Sequence, residues 1–464
     1  MPPEPRPRPP RRALSRRRVI AGALSGAGLL GAGFAASRGT ELLRSVGRDD
    51  PSRSVTVAYT SATGRTGIDA EAAARLPAGS RVMPELSGTG PDRRQQEFLD
   101  RSRPWLESLP THRRELATSA LLDLWVLSDS LPGTVASWTG PWRCIWPRDT
   151  AFSAIALARV GAIDLAWSHL LHLQSLQDAE GSFAARYLPE TGGVPDDRAA
   201  QSDAIGLLLW AVAEVADSAA RNGRPVNHGD MAPMLRRSSS RLISHTSHGT
   251  RLPPVSPDYW EVAESRVTLG IAGPTLIGLQ SLLELAESSP QIFAGSAGGV
   301  AGLEEAAAGF RATFARTFTA NGLQRYPSSG GLDSALSYLP AAGLVAGRRA
   351  HGQGASADLA LGIADLDRAR RLLGQPAGGI RPGHGWILDR SSWTPSTSLM
   401  ALGYARLGAT ETAEEMLDWL SAHRTGPGSL PEKVSEDGVP VSVAPLSWTA
   451  SNVVICLDEL YGGT

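Results

Sequence analysis

The chain has 464 residues, with 45 Lys plus Arg against 46 Asp plus Glu and a 42% hydrophobic share. Such a charge balance excludes a general attraction to nucleic acid or to an acidic membrane surface. The apolar share is that of an ordinary soluble globular protein. The 9 histidines are scattered and the 2 cysteines, Cys144 and Cys456, are far apart. No cluster has metal-ligand spacing, so neither a metal nor any other cofactor is expected.

Residues 1–40 read as a targeting segment. Ser15-Arg16-Arg17-Arg18-Val19-Ile20 leads into a Gly- and Ala-rich apolar stretch ending near Ala36. A twin arginine ahead of a mildly apolar run is expected to be a Tat export signal, placing the protein outside the cell or at its surface. The alternative is an uncleaved membrane anchor, because the cleavage pattern at Ala35-Ala36 is poor and the stretch barely reaches spanning length. Outside the cytoplasm the cysteines would be able to pair; two buried thiols is the preferred reading.

Residues 41–112 read as an irregular extension rich in Gly, Pro and Arg, with a short strand within Ser54-Val55-Thr56-Val57-Ala58-Tyr59. Residues 113–464 then carry about twelve segments of helical period. They begin near Arg113, Asp149, Asp164, Gln201, Gly229, Arg266, Gly299, Asp333, Ser356, Ser396, Thr410 and Pro445. Short connections predict antiparallel hairpins. The expected fold is all-α, an (α/α)6 barrel of six hairpins, as a monomer. The loops rich in Trp, Asp and Glu enter the even-numbered helices. In alternating hairpins, loops of one parity emerge at one end, so these loops should converge at the barrel mouth.

Two acidic loops carry the chemistry. Asp258-Tyr259-Trp260-Glu261 holds the candidate general acid, Glu261, beside rings expected to strip its hydration, with Asp258 and Glu264 adding negative charge. Leu430-Pro431-Glu432-Lys433 holds the candidate base, Glu432, beside the chain's lone lysine. Such a pair suits glycosidic bond cleavage, one carboxyl giving a proton while the other activates water. Seven of the 12 Trp lie in the loops that enter even-numbered helices: Trp138, Trp142, Trp146, Trp260, Trp386, Trp393 and Trp448. Aromatic faces bury the apolar side of sugar rings, while adjacent Arg148 and Asp149 would divide sugar hydroxyls between donor and acceptor. The alternatives for these residues are barrel-end packing for the Trp and first-turn or solvated acids for the rest.

At these motifs the chain resembles glycoside hydrolase family 15, the glucoamylase-like enzymes. The matching pieces are Gly140-Pro141-Trp142-Arg143-Cys144-Ile145-Trp146-Pro147-Arg148-Asp149, Gln201-Ser202-Asp203-Ala204, Asp258-Tyr259-Trp260-Glu261, Leu430-Pro431-Glu432 and Pro445-Leu446-Ser447-Trp448. The resemblance implies inverting hydrolysis of α-glucosidic bonds from a non-reducing end, with Glu261 as acid, Glu432 as base, and Arg148 and Asp149 gripping the terminal sugar. It also implies a sugar-site acid at Asp258. Trp146, Asp203, Trp260, Trp393 and Trp448 complete the expected binding set for an oligosaccharide or polysaccharide. Two departures stand out: the stretch before residue 113 is too short for a β-sandwich domain, and Lys433 stands where the family often has Gln. Two other readings are a phosphorylase on the same barrel and a sugar-binding barrel without turnover.

Overall fold

The computed structural model describes residues 53–295, 298–320, 322–345, 359 and 361–462. The expected export signal over 1–40 and the helix start near Ser356 lie outside these residues. An antiparallel hairpin of β1 (Val57–Tyr59) and β2 (Arg65–Gly67) opens the described chain, followed by α1 (Ala70–Arg75) and α2 (Gly90–Ser108). Among the described residues, twelve helices then alternate between two rings. The outer ring holds α3 (Thr111–Ser128), α5 (Ile163–Leu176), α7 (Ala232–His245), α9 (Gly299–Phe314), α11 (Ile363–Leu373) and α13 (Thr410–Ala422). The inner ring holds α4 (Pro147–Arg159), α6 (Asp203–Arg221), α8 (Leu269–Ser288), α10 (Tyr338–Ala341), α12 (Thr394–Arg406) and α14 (Ser447–Tyr461). Each inner helix packs on the next, and α14 returns to α4, which closes the ring. The protein is an all-α, (α/α)6 barrel of six hairpins, as the sequence predicts.

The two rings follow from burial pattern. Every residue of α4 and of α12 is buried, because an inner helix is covered by its ring neighbours on the sides and by an outer helix behind. An outer helix such as α11 covers one face only: it buries Leu366, Ala369 and Leu373 and leaves a charged face in water. Where α6 crosses α8, the backbones themselves touch. A Cβ on Gly206 would sit 1.8 Å from the Pro274 carbonyl oxygen. Only glycine permits that approach.

The described part of the extension, residues 53–112, departs from expectation. Its α2 is a regular 19-residue helix that buries Pro91, Gln95, Phe98, Ser102 and Trp105. That spacing is a helical stripe, but two of its five positions, Gln95 and Ser102, are polar, so hydrophobic periodicity hides it. The expected strand is confirmed at Val57–Tyr59. Cys144 and Cys456 are both buried, unpaired thiols.

Candidate active site at the barrel mouth

All six inner helices start at the same end, and the loops feeding them interlock there. Pro147, at the first turn of α4, stands where a missing N–H costs nothing. The next two residues, Arg148 and Asp149, are therefore held at the mouth, both buried. Arg148 Nη1 donates to Gln201 Oε1 at 2.8 Å and to Asp203 Oδ2 at 3.0 Å, and its guanidinium lies 5.3 Å from the Trp448 ring centroid. Burial pushes Asp149 up to about 7 and Asp203 up to about 6, against the opposing pull of Arg148. Asp203 Oδ1 has no protein partner among the described residues. The floor below is aromatic. Trp448 stacks on Tyr338 (centroids 6.3 Å, 10°) and meets Phe152 at 5.6 Å, so rings from α4, α10 and α14 close the axis of the barrel.

Glu261 sits in a turn, its N–H bonded to the Asp258 carbonyl at 2.8 Å and its φ at +56°, a left-handed conformation uncommon for a non-glycine residue. Its carboxylate is surrounded by donors. Trp146 Nε1 donates to Oε1 at 2.9 Å, Arg148 Nη2 lies 3.4 Å from Oε1, and Arg198 Nη1 lies 2.5 Å from Oε2. This corrects the expected surroundings. The flanking rings are engaged elsewhere: Tyr259 Oη donates to Asp333 and to the Pro382 carbonyl, while Trp260 lies 3.6 Å under the Arg325 guanidinium. Nor do the flanking acids act as free negative charge. Arg325, from β3 (Gln324–Tyr326), which pairs with β4 (Ser329–Leu332), reaches Glu264 at 2.5 Å, Asp258 at 3.2 Å and Asp333 at 2.7 Å. Asp258 is fully buried and also accepts from Thr268 Oγ1 at 2.7 Å and from the Trp260 N–H at 2.9 Å, so it braces this loop from beneath.

Glu432 precedes β6 (Lys433–Val434), the middle strand of a small antiparallel sheet with β5 (Ser392–Trp393) and β7 (Pro440–Val441). Its N–H bonds the Val443 carbonyl at 2.8 Å and its carbonyl accepts from Thr394 N at 3.0 Å. Its Oε2 accepts from Ser442 Oγ, a residue with φ +66°. Lys433 Nζ stands 3.7 Å from Asp389 and 4.4 Å over the Trp393 ring. Trp393 meets Trp386 at 5.0 Å, and Trp386 meets Trp260 at 5.3 Å, so an aromatic chain runs from the Glu432 loop to the Glu261 loop. Thr394 Oγ1 also bonds Thr449, the neighbour of Trp448.

The mouth thus gathers Glu261, Trp146, Arg148, Asp149, Asp203 and Trp448 into one network; Asp258 and Trp260 meet at Arg325, Trp393 follows through Trp386, and Glu432 connects to Trp393 through the neighbouring Lys433. Trp138 stands apart: its Nε1 donates to the Arg65 carbonyl at 2.6 Å and its face lies under Arg65, fastening the β1–β2 hairpin. Arg198, Arg325, Tyr338 and Ser442 escaped the sequence reading. A signal existed for Arg198, which sits three residues before Gln201 at the end of an acidic pair, Asp196-Asp197. Among the described residues no group of three or more His, Cys, Asp or Glu could hold a metal ion.

No protein-family model matches the chain. An uncharacterized glycosyl hydrolase of Methanocaldococcus jannaschii is 33% identical over 95 residues, which span 20% of this chain and 15% of that protein. Among solved structures, a wild-type glycosidase superposes with a TM-score of 0.59 at 19% identity, over 76% of this chain and 99% of its own. The glucoamylase from Saccharomycopsis fibuligera gives 0.56 at 13% identity, over 77% and 95%. A bacterial glucoamylase complexed with acarbose gives 0.57 at 15% identity, over 86% and 62%. The chain therefore has the six-hairpin fold of the glucoamylase-like glycosidases. At these identities the likeness is one of architecture.

Proposed function

We propose that the protein is an exported glycoside hydrolase, similar to family 15, that cleaves α-glucosidic bonds from a non-reducing end with inversion. One observation supports this reading most directly: Glu261 lies 3.4 Å from Arg148, whose guanidinium faces the Trp448 ring, while the Glu432 carbonyl accepts from Thr394 N and Thr394 Oγ1 bonds Thr449, the neighbour of Trp448. Glu261 gives its proton to the glycosidic oxygen as the C1–O bond breaks. Glu432 takes a proton from the water that attacks C1 on the opposite face. Arg148 and Asp149, buried and adjacent, hold hydroxyls of the terminal sugar, and Trp448 offers its ring face. The fold shared with solved glucoamylases supports the substrate class, and the glycosyl hydrolase relative supports the chemistry. The twin-arginine pattern supports export. Short substrates such as malto-oligosaccharides, dextran fragments or trehalose are the natural panel.

The test is turnover of maltose, isomaltose, trehalose and dextran, with the product anomer followed by NMR. Release of β-glucose supports inversion. Release of α-glucose would reassign Glu432 from base to nucleophile, and no turnover on any glucoside would remove the reading.

A further inference from the structure

Arg198 lies on the irregular segment between α5 and α6 and is largely buried against Glu261, with side-chain exposures of 18% and 17%. Its Nη1 is 2.5 Å from Glu261 Oε2, and its Nε is 3.2 Å from Asp196 Oδ2. Asp196 also pairs with Arg186, whose guanidinium lies 4.9 Å from the Trp146 ring centroid, and Trp146 Nε1 returns to Glu261 Oε1 at 2.9 Å. The five residues form a closed circuit around one carboxylate. Arg148 approaches the same carboxylate from the floor of the mouth at 3.4 Å. A surface ion pair of this kind would contribute little. This one is enclosed, fixed from both sides, and aimed at the group proposed to give the proton.

We propose that Arg198 is a positioning residue for the proton-donating step. This inference rests on the role given to Glu261 above. As the glycosidic C–O bond breaks, its electron pair goes to the leaving oxygen and the proton moves there from Glu261. What remains is a carboxylate whose charge has grown during the step. Arg198 and Arg148 face that growing charge with preorganised N–H donors, which lowers the barrier where the charge develops. Arg198 also holds the side chain of a residue whose backbone is already in a left-handed turn.

The consequence depends on the leaving group. A sugar leaving group needs the proton, whereas fluoride departs with far less help. The experiment compares the disaccharide that the parent enzyme cleaves fastest with α-glucosyl fluoride, for the parent, Arg198→Ala, Arg198→Lys and Glu261→Gln. Arg198→Ala is expected to lose about 100-fold in kcat on the disaccharide, with less than about threefold change on the fluoride and with KM little altered. Arg198→Lys should recover part of the loss. An equal fall on both substrates, or no fall on either, would overturn the role of Arg198. If instead Glu261→Gln cleaves the disaccharide as well as the parent does, the assignment of Glu261 falls, and this outcome is read separately from the Arg198 variants.

Discussion

Arg81 Nη2 meets Asp123 Oδ1 at 2.9 Å with neither side chain exposed to water. The same carboxylate accepts from the Leu430 N–H at 2.7 Å and from Ser429 Oγ at 2.9 Å. A residue between α1 and α2 and one on the first barrel helix therefore clamp the loop that carries Glu432. The chain adds a second hold at the other side of that loop, where Ser54 N donates to the Pro440 carbonyl at 3.0 Å and Ser54 Oγ to the Ser442 carbonyl at 2.9 Å. Residues 53–83 are thus a buttress of the candidate base.

Arg81→Ala leaves a buried carboxylate without its cation. It should destabilise the fold by about 3–5 kcal/mol, read from urea unfolding monitored by Trp fluorescence. A change within about 0.5 kcal/mol, the range typical of surface substitutions, would show that the pair is not buried in solution.

Glu261→Gln and Glu432→Gln are each expected to abolish hydrolysis, a fall of about 10³-fold or more given the reach of general acid–base catalysis, while sugar binding persists by calorimetry. Full activity in either variant would remove that residue from the mechanism.

Gly206→Ala should destabilise the barrel, because the new methyl group would overlap the Pro274 carbonyl 1.8 Å away and force α6 from α8. The expected loss is about 1–3 kcal/mol or more, measured by chemical unfolding. An unchanged midpoint would mean that the two helices cross farther apart.

At the far end of the barrel, burial and then the Glu214 carboxylate push Glu284 up to about 7, above the ordinary 4.5. A raised carboxyl stabilises the folded state while it keeps its proton. That contribution is present in full below pH 4.5 and is lost as the pH rises through 7. Glu284→Gln, which cannot ionise, should remove a stability loss of order 2–3 kcal/mol across that window. Unfolding curves of parent and variant at several pH values test this; parallel pH profiles would contradict it.

Much of the molecule was legible from local pattern. The helical period marks the hairpins, and loop parity places Trp146, Arg148, Glu261 and Glu432 at one end. Helix α2 was not legible, since Gln95 and Ser102 occupy its buried stripe and satisfy themselves with hydrogen bonds that hydrophobicity does not register. The surroundings of Glu261 were misjudged for a related reason. Chain neighbours Tyr259 and Trp260 looked like its environment, but a turn sends them to Asp333 and Arg325.

By itself the sequence determined that this chain forms helical hairpins and which loops enter the inner helices, because both follow from periodicity and alternation along the chain. The tertiary structure decided which charges meet. Arg198 reaches Glu261 across 63 positions, and Ser54 reaches Ser442 across 388. Electrostatic and hydrogen-bond energies depend on distance through space over a few ångströms, and no local pattern encodes which remote guanidinium will arrive at a given carboxylate.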